Sequence, residues 1–239
     1  MRGIRFLRWG LSLALLITTV VQLGCGGGDA NPERKLKAAA ATTAAVEPAF
    51  LFYGTTYPGS GPYPSTLVSI SPVDGRQALL GTVAGSTHAA NAIDVDPLTG
   101  ALYGVDGSAT PGALLGIDLK TGLSTTVGTV RDAAGQVVTM GGLTFAADGT
   151  MYVAALATIG RVDRFTYRYT ELLVLPATEY VTSIEMSPSG VLYAVYNSRP
   201  SGKQTLVSID PETKAVTRQI DINGSFMVGD LDFAPDGYL

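Results

Sequence analysis

One cysteine, one histidine and one tryptophan occur in the 239 residues, and only 15% of the residues are charged. Each scarcity removes a class of chemistry. A lone Cys25 forms no internal disulfide, and one cysteine with one histidine builds no zinc or iron cluster. A Ser-His-Asp hydrolase would have to use His88, which lies in the small-residue run Ser86-Thr87-His88-Ala89-Ala90 with no nucleophile elbow around it. It reads as an exposed loop histidine. Basic clusters are missing as well. Three of the 16 basic residues, Arg2, Arg5 and Arg8, precede Cys25, which leaves 13 against 20 acidic residues in the remainder. No extended run of Lys and Arg survives there to neutralise phosphates, so nucleic acid is not an expected partner.

What is plentiful is apolar surface and chain reversal: 46% of residues are hydrophobic, with 29 glycines and 13 prolines. That mixture suits short strands joined by many turns, around a core large enough for one domain. The N-terminus is organised differently. Arg2, Arg5 and Arg8 form a positive region, and Leu11–Val21 follows as an uncharged, mostly apolar run. This run is well short of the roughly 20 residues that cross a hydrocarbon core, so it reads as an export signal rather than a span. Gln22-Leu23-Gly24-Cys25 resembles the lipobox of bacterial lipoproteins. Gly24 and Cys25 match that pattern, and Gln22 departs from its usual aliphatic residue. The resemblance implies a signal over residues 1–24, removed to leave a lipidated Cys25 that anchors the chain to a membrane of the bacterial envelope, on a periplasmic or cell-surface face. Secretion after cleavage within Ala38–Ala45 is the alternative. Residues 25–48 have no apolar period and read as a flexible linker, so the folded domain is expected over residues 49–239.

Within that domain two patterns alternate. One is Ser65-Thr-Leu-Val-Ser-Ile-Ser-Pro72, Ala113-Leu-Leu-Gly-Ile-Asp-Leu119, Ile159-Gly-Arg-Val-Asp-Arg164 and Thr205-Leu-Val-Ser-Ile-Asp-Pro211, in which Ile70, Ile117, Val162 and Ile209 lie 47, 45 and 47 residues apart. The other runs from Ala92 to Tyr103, Gly142 to Tyr152, Ser183 to Tyr193 and Asp230 to Leu239. Each cycle divides into four short strands, here named A to D from the second pattern onward. Gly100, Gly149, Gly190 and Gly237 mark the A–B hairpins, and Asp74-Gly75 and Thr121-Gly122 mark C–D hairpins. Four antiparallel strands per 40–50 residues predict an all-β chain, a β-propeller of four-stranded blades. Alternation within the strands is imperfect, as it should be when both sheet faces pack on neighbouring blades.

Leu192-Tyr-Ala-Val-Tyr-Asn-Ser198 followed by Leu206-Val-Ser-Ile-Asp-Pro-Glu-Thr-Lys-Ala-Val216 resembles the YVTN-type and related WD-like bacterial propeller repeats, over about residues 49–239. The resemblance implies the fold and leaves function open, because propellers host binding, scaffolding and several chemistries. WD dipeptides, quinoprotein tryptophan motifs and sialidase Asp-boxes are all missing. The repeat count is four with an awkward end. The first cycle opens in strand B at Phe50–Gly54, and the last reaches only its A strand and half a hairpin. Either Leu231–Phe233 closes a four-bladed ring beside Phe50–Gly54, or the chain is a fragment of a larger propeller, the reading the half-written hairpin favours.

Asp94, Thr144, Glu185 and Asp232 share one position in the four A strands. Strand A lines a propeller's axis, so three carboxylates and a hydroxyl there are candidates for a hard divalent cation such as Ca²⁺, or for raising one carboxyl's pKa. The plainer alternative is that they bond neighbouring backbone between blades. Asp94-Val95-Asp96 and Asp221-Ile-Asn-Gly224 lack the full calcium-loop spacing and read as turns. Tyr53, Tyr57 and Tyr63, in a stretch with three prolines, are candidates for stacking a sugar or peptide, or form a rigid surface loop. These observations favour a non-enzymatic, envelope-anchored module for a protein, peptide or glycan. A metal-dependent hydrolase or lyase using the axial carboxylates, and an incomplete gene fragment, are the alternatives.

Overall fold

The computed structural model describes residues 7–10, 50–56, 65–82, 90–106, 111–199, 201–223, 229–233 and 239. Among these residues there is no helix. Sixteen strands form four sheets. The first blade holds β1 (Leu7–Gly10), β2 (Phe50–Thr56), β3 (Thr66–Ile70) and β4 (Gln77–Thr82). The second holds β5 (Ala90–Val95), β6 (Leu102–Asp106), β7 (Ala113–Ile117) and β8 (Ser124–Thr129). The third holds β9 (Gly142–Phe145), β10 (Met151–Ala155), β11 (Thr158–Val162) and β12 (Tyr169–Val174). The fourth holds β13 (Glu179–Met186), β14 (Leu192–Ser198), β15 (Gln204–Ile209) and β16 (Val216–Ile222). Every sheet is an antiparallel meander in chain order, so the four blades make a β-propeller.

Blades meet through their inner strands: β1 and β2 against β5, β5 against β9, and β9 against β13. Apolar side chains fill each gap. Leu67, Ile93, Leu102 and Leu115 lie in the first, Val105, Leu114, Leu143 and Val153 in the second, and Ile159, Ile184, Leu192 and Val207 in the third. Consecutive Leu114 and Leu115 therefore serve different gaps, which is why β7 is buried on both faces and does not alternate in polarity.

Two details differ from the sequence reading. The first blade has an A strand after all, drawn from Leu7–Gly10 with Leu7 opposite Tyr53 and Gly10 opposite Phe50. This strand lies inside the segment read as an export signal, so a chain cleaved before Cys25 would lose it and show on β2 a bare axial edge of N–H and C=O groups, a template for any extended apolar segment. Since β1 and β3 occupy both edges of β2, Leu231–Phe233 does not pair with Phe50–Gly54. Residues 229–233 lie instead beside the fourth blade, where Asp230 accepts a 2.9 Å hydrogen bond from the Ser183 hydroxyl and Phe233 meets Tyr193 edge-on at 5.3 Å. The Tyr103–Phe145 contact between the second and third blades, 5.5 Å between ring centres, joins the same two columns. Residues 229–233 thus sit against the fourth blade as β9 sits against the second.

The C–D turns show why the repeat tolerates changed residues. Asp118 Oδ1 accepts from the N–H groups of Lys120 (2.9 Å) and Thr121 (2.8 Å) and from the Thr121 hydroxyl (3.0 Å). Asp163 does the same with Phe165 and Thr166, and Asp210 takes the N–H groups of Glu212 and Thr213. The carboxylate stands in for a backbone carbonyl, which fixes the turn whatever the intervening residues. These backbone donors also hold all three carboxyls below their ordinary pKa. The turn's fifth residue is left-handed in each case: Gly122 at φ 70°, Tyr167 at 55° and Lys214 at 63°.

Candidate functional site

Asp94 on β5, Thr144 on β9, Glu185 on β13 and Asp232 beside the fourth blade are brought into one row. What the row does is visible in its hydrogen bonds. Asp94 Oδ2 accepts the N–H of Phe145 in the next blade at 2.7 Å, and its Oδ1 accepts that of Val95 at 2.6 Å. Thr144 repeats the pattern one blade on: its hydroxyl oxygen accepts the N–H of Met186 at 3.1 Å and donates to Glu185 Oε2 at 3.1 Å. Asp94 and Thr144 therefore each grip the backbone just after the next row residue. An inner strand has no neighbour on its axial side, so these side chains satisfy N–H groups that would otherwise lack an acceptor.

The electrostatics are unusual for such a role. Burial pushes the Asp94 carboxyl up to about 7, against the pull of its two N–H donors and the Thr144 hydroxyl, and the nearby Asp230 charge adds to the rise. Burial also pushes Glu185 well above the ordinary carboxyl range, helped by the charges of Asp94, Asp232 and Asp230. Among the described residues, no group of three or more His, Cys, Asp or Glu side chains is arranged to hold a metal ion. Both Asp94 oxygens accept from backbone donors, one of them in the next blade.

The remaining sequence candidates are scattered. Tyr53 belongs to β2 and packs against the apolar cluster between the first and second blades, while Tyr57, Tyr63, His88 and Cys25 lie outside the described residues. Asp96 is fully buried, takes the Leu98 N–H (3.0 Å) and the Thr99 hydroxyl (2.7 Å), and pairs with Arg164 of the next blade. Asp221 pairs with Lys203 Nζ at 2.9 Å within its own blade.

A second site escaped the sequence. D–A connections and B–C turns share one end of every blade, and at that end residues 131–139 and the turn after β10 enclose an open groove of about 760 Å³ along β12. Asp132, Val137, Leu156, Arg168, Thr170 and Glu171 line it. The walls are held in place. Asp132 Oδ1 accepts from the N–H groups of Ala134 (2.9 Å) and Gln136 (2.8 Å), and Arg131 donates to the Gly135 carbonyl at 3.0 Å. Leu156 is 58% exposed and sits at φ 51°, a conformation disfavoured for a branched apolar residue. It opens the two-residue hairpin between β10 and β11, where Ala155 pairs with Thr158. Val181 N–H of the fourth blade donates to its carbonyl at 2.8 Å, and Leu175 N–H, just after β12, donates to the Ala157 carbonyl at 2.7 Å. Strain kept in an exposed apolar residue by surrounding structure is a feature that clusters at ligand sites. A faint signal was present. The A-strand row residues are 50 apart from Asp94 to Thr144 but 41 from Thr144 to Glu185, because the connection after β8 is longer.

A family model described as "Repeat of unknown function (DUF6923)" matches residues 52–230. No curated protein matches the chain in sequence. Among solved structures, it is similar to the hydrazine synthase of Kuenenia stuttgartiensis, at 19% identity and a TM-score of 0.49, covering 77% of this chain and 50% of that one. It is also similar to an auxiliary nutrient binding protein from Bacteroides ovatus, at 15% identity and a TM-score of 0.46, covering 73% of this chain and 39% of that one. The chain thus spans about half the length of the first structure and about two fifths of the second.

Proposed function

Because the chain belongs to the family of repeats of unknown function (DUF6923), whose description assigns no chemistry, we propose a function from its own residues: a binding module, anchored to the bacterial envelope through a lipidated Cys25, that takes a protein, peptide or glycan in the groove along β12. The observation that carries the reading is the exposed Leu156, left-handed in its hairpin at the groove and tied to the next blade through the Val181 N–H. A preformed concavity with apolar and polar lining is the ordinary form of a ligand site. In a binding module the axial row has a structural task, joining inner strands.

Ala134 is exposed on the groove's loop wall, so Ala134→Trp fills the groove without touching the core. On arrays of envelope glycans and oligopeptides, wild type is expected to retain ligands that the Ala134→Trp chain loses at least tenfold. Ligands kept equally by both would remove the groove from the proposal. The anchor has its own test. Cys25→Ser is expected to move the chain from the membrane fraction to the soluble fraction of bacterial cells, and mass spectrometry of the wild type should find a diacylglyceryl group on Cys25. An unmodified mature N-terminus within Ala38–Ala45 would overturn it.

A further inference from the structure

The groove has a backbone edge as one wall. β12 is the outermost strand of its sheet, and four consecutive residues around its start, Arg168 to Glu171, line the groove. Such an edge binds whatever presents extended backbone. The chain already uses the beginning of it. Tyr169 N–H donates to the Arg131 carbonyl at 2.7 Å and Arg131 N–H to the Tyr167 carbonyl at 3.1 Å, so Arg131 forms a parallel bridge to Arg168. At Asp132 the chain turns off into the loop closed by that carboxylate. Outward-facing positions alternate along a strand, so the next after Tyr169 is Glu171. Among the described residues, Glu171 makes no backbone hydrogen bond beyond its ladder with β11.

The side chains say what kind of strand fits. Val137 and Leu156 are exposed apolar residues in the groove, 40% and 58% accessible, and ask for apolar side chains in return. Of the charged lining residues two are carboxylates, Asp132 and Glu171, and one is the guanidinium of Arg168. The balance favours a cationic ligand.

Resting on the reading of the groove as the ligand site, we propose that it binds an extended peptide, which pairs with the free edge of β12 at Glu171, sets apolar side chains on Leu156 and Val137, and carries a basic residue answering Asp132 and Glu171. The edge supplies affinity for any backbone, and the pockets and carboxylates supply selection. A glycan has no N–H and C=O alternation to satisfy the edge.

The test is titration of the full chain with three acetylated, amidated hexapeptides. These are Val-Lys-Val-Lys-Val-Lys, the same sequence with Glu for Lys, and the Lys peptide N-methylated at alternate residues. The Lys peptide is expected to bind, with slowed amide exchange at Glu171. The Glu peptide should bind at least tenfold more weakly, and the N-methylated peptide should lose binding. Glu171→Lys, at an exposed position, should reverse the preference between Lys and Glu peptides. No binding of the Lys peptide, or equal binding of its N-methylated form, overturns the proposal. Ala134→Trp separates the two claims. If that variant loses a glycan ligand while no peptide binds wild type, the groove stands and the peptide falls. If it binds the Lys peptide as wild type does, the groove reading itself falls.

Discussion

Gly81→Ala is expected to destabilise the propeller by about 3 kcal/mol or more, at the upper end of what overpacking costs. Gly81 lies on β4, where the first blade touches the C–D turn of the second. A Cβ on Gly81 would come 1.7 Å from the Thr121 carbonyl oxygen and 2.6 Å from its carbon. That oxygen belongs to backbone, and the turn cannot swing aside while Asp118 holds the Thr121 N–H and hydroxyl. Relief requires the first blade to part from the second, opening the gap filled by Leu67, Ile93 and Leu115. Two other glycines calibrate the claim. A Cβ on Gly128 would meet the Tyr167 ring at 2.4 Å, and a side chain yields more readily than backbone. Gly75, at φ 69° with nothing within 4 Å, would cost only the left-handed strain, about 1–2 kcal/mol. Urea midpoints should therefore fall in the order Gly75→Ala, Gly128→Ala, Gly81→Ala, with the last lowest. Equal midpoints for Gly75→Ala and Gly81→Ala would mean that backbone contact does not seat the first blade.

That contact was within reach of sequence reasoning. Gly81-Thr82-Val83 and Gly128-Thr129-Val130 recur 47 residues apart, in step with the Ile70–Ile117 column. A glycine repeated in a strand marks a close approach. The strands and their order were legible for a simpler reason: each blade repeats the same apolar columns and the same turn residues, so four weak signals add. Asp118, Asp163 and Asp210 stayed recognisable even where glycine gave way to Tyr167 and Lys214, because the carboxylate, rather than the glycine, closes the turn.

What was not legible depends on unique segments and on direction. The row Asp94, Thr144, Glu185, Asp232 could be counted out, but a side chain on an inner strand reaches along the axis or around it according to twist, and periodicity carries no twist. The structure sends Asp94 and Thr144 around it, to Phe145 and Met186. Leu7–Gly10 has no place in any column, and it pairs with the open edge of β2 in the uncleaved chain although the lipobox reading removes it from the mature one. The groove depends on the connection at residues 131–139, which occurs once. Function collects in such unrepeated loops, where a repeat-based reading has least to work with.

The buried row makes stability depend on pH in a direction opposite to that of the turns. Asp94 is raised from its ordinary value to about 7, and Glu185 is raised as well, in both cases chiefly by burial. A carboxyl that holds its proton more tightly when folded contributes stability that is complete below the unfolded pKa, about 4. That contribution is lost as pH rises through the folded value. Across that window each raised carboxyl makes folding less favourable as pH rises. The turn carboxylates Asp118, Asp163 and Asp210 are lowered, so their contribution is present above pH 4 and fades only below it. Stability is therefore expected to peak near pH 4–5 and to decline toward pH 7, where many proteins are at their best. Asp94→Asn keeps a side-chain oxygen for the Phe145 N–H while removing the titration, and Glu185→Gln does the same beside Thr144. The double variant should unfold at nearly the same urea concentration at pH 5 and pH 7, where wild type loses a large part of its midpoint. A wild-type midpoint that is flat or rising from pH 5 to pH 7, or a double variant with the wild-type slope, would show that the row's carboxyls titrate near their ordinary values and that solvent reaches them between the blades.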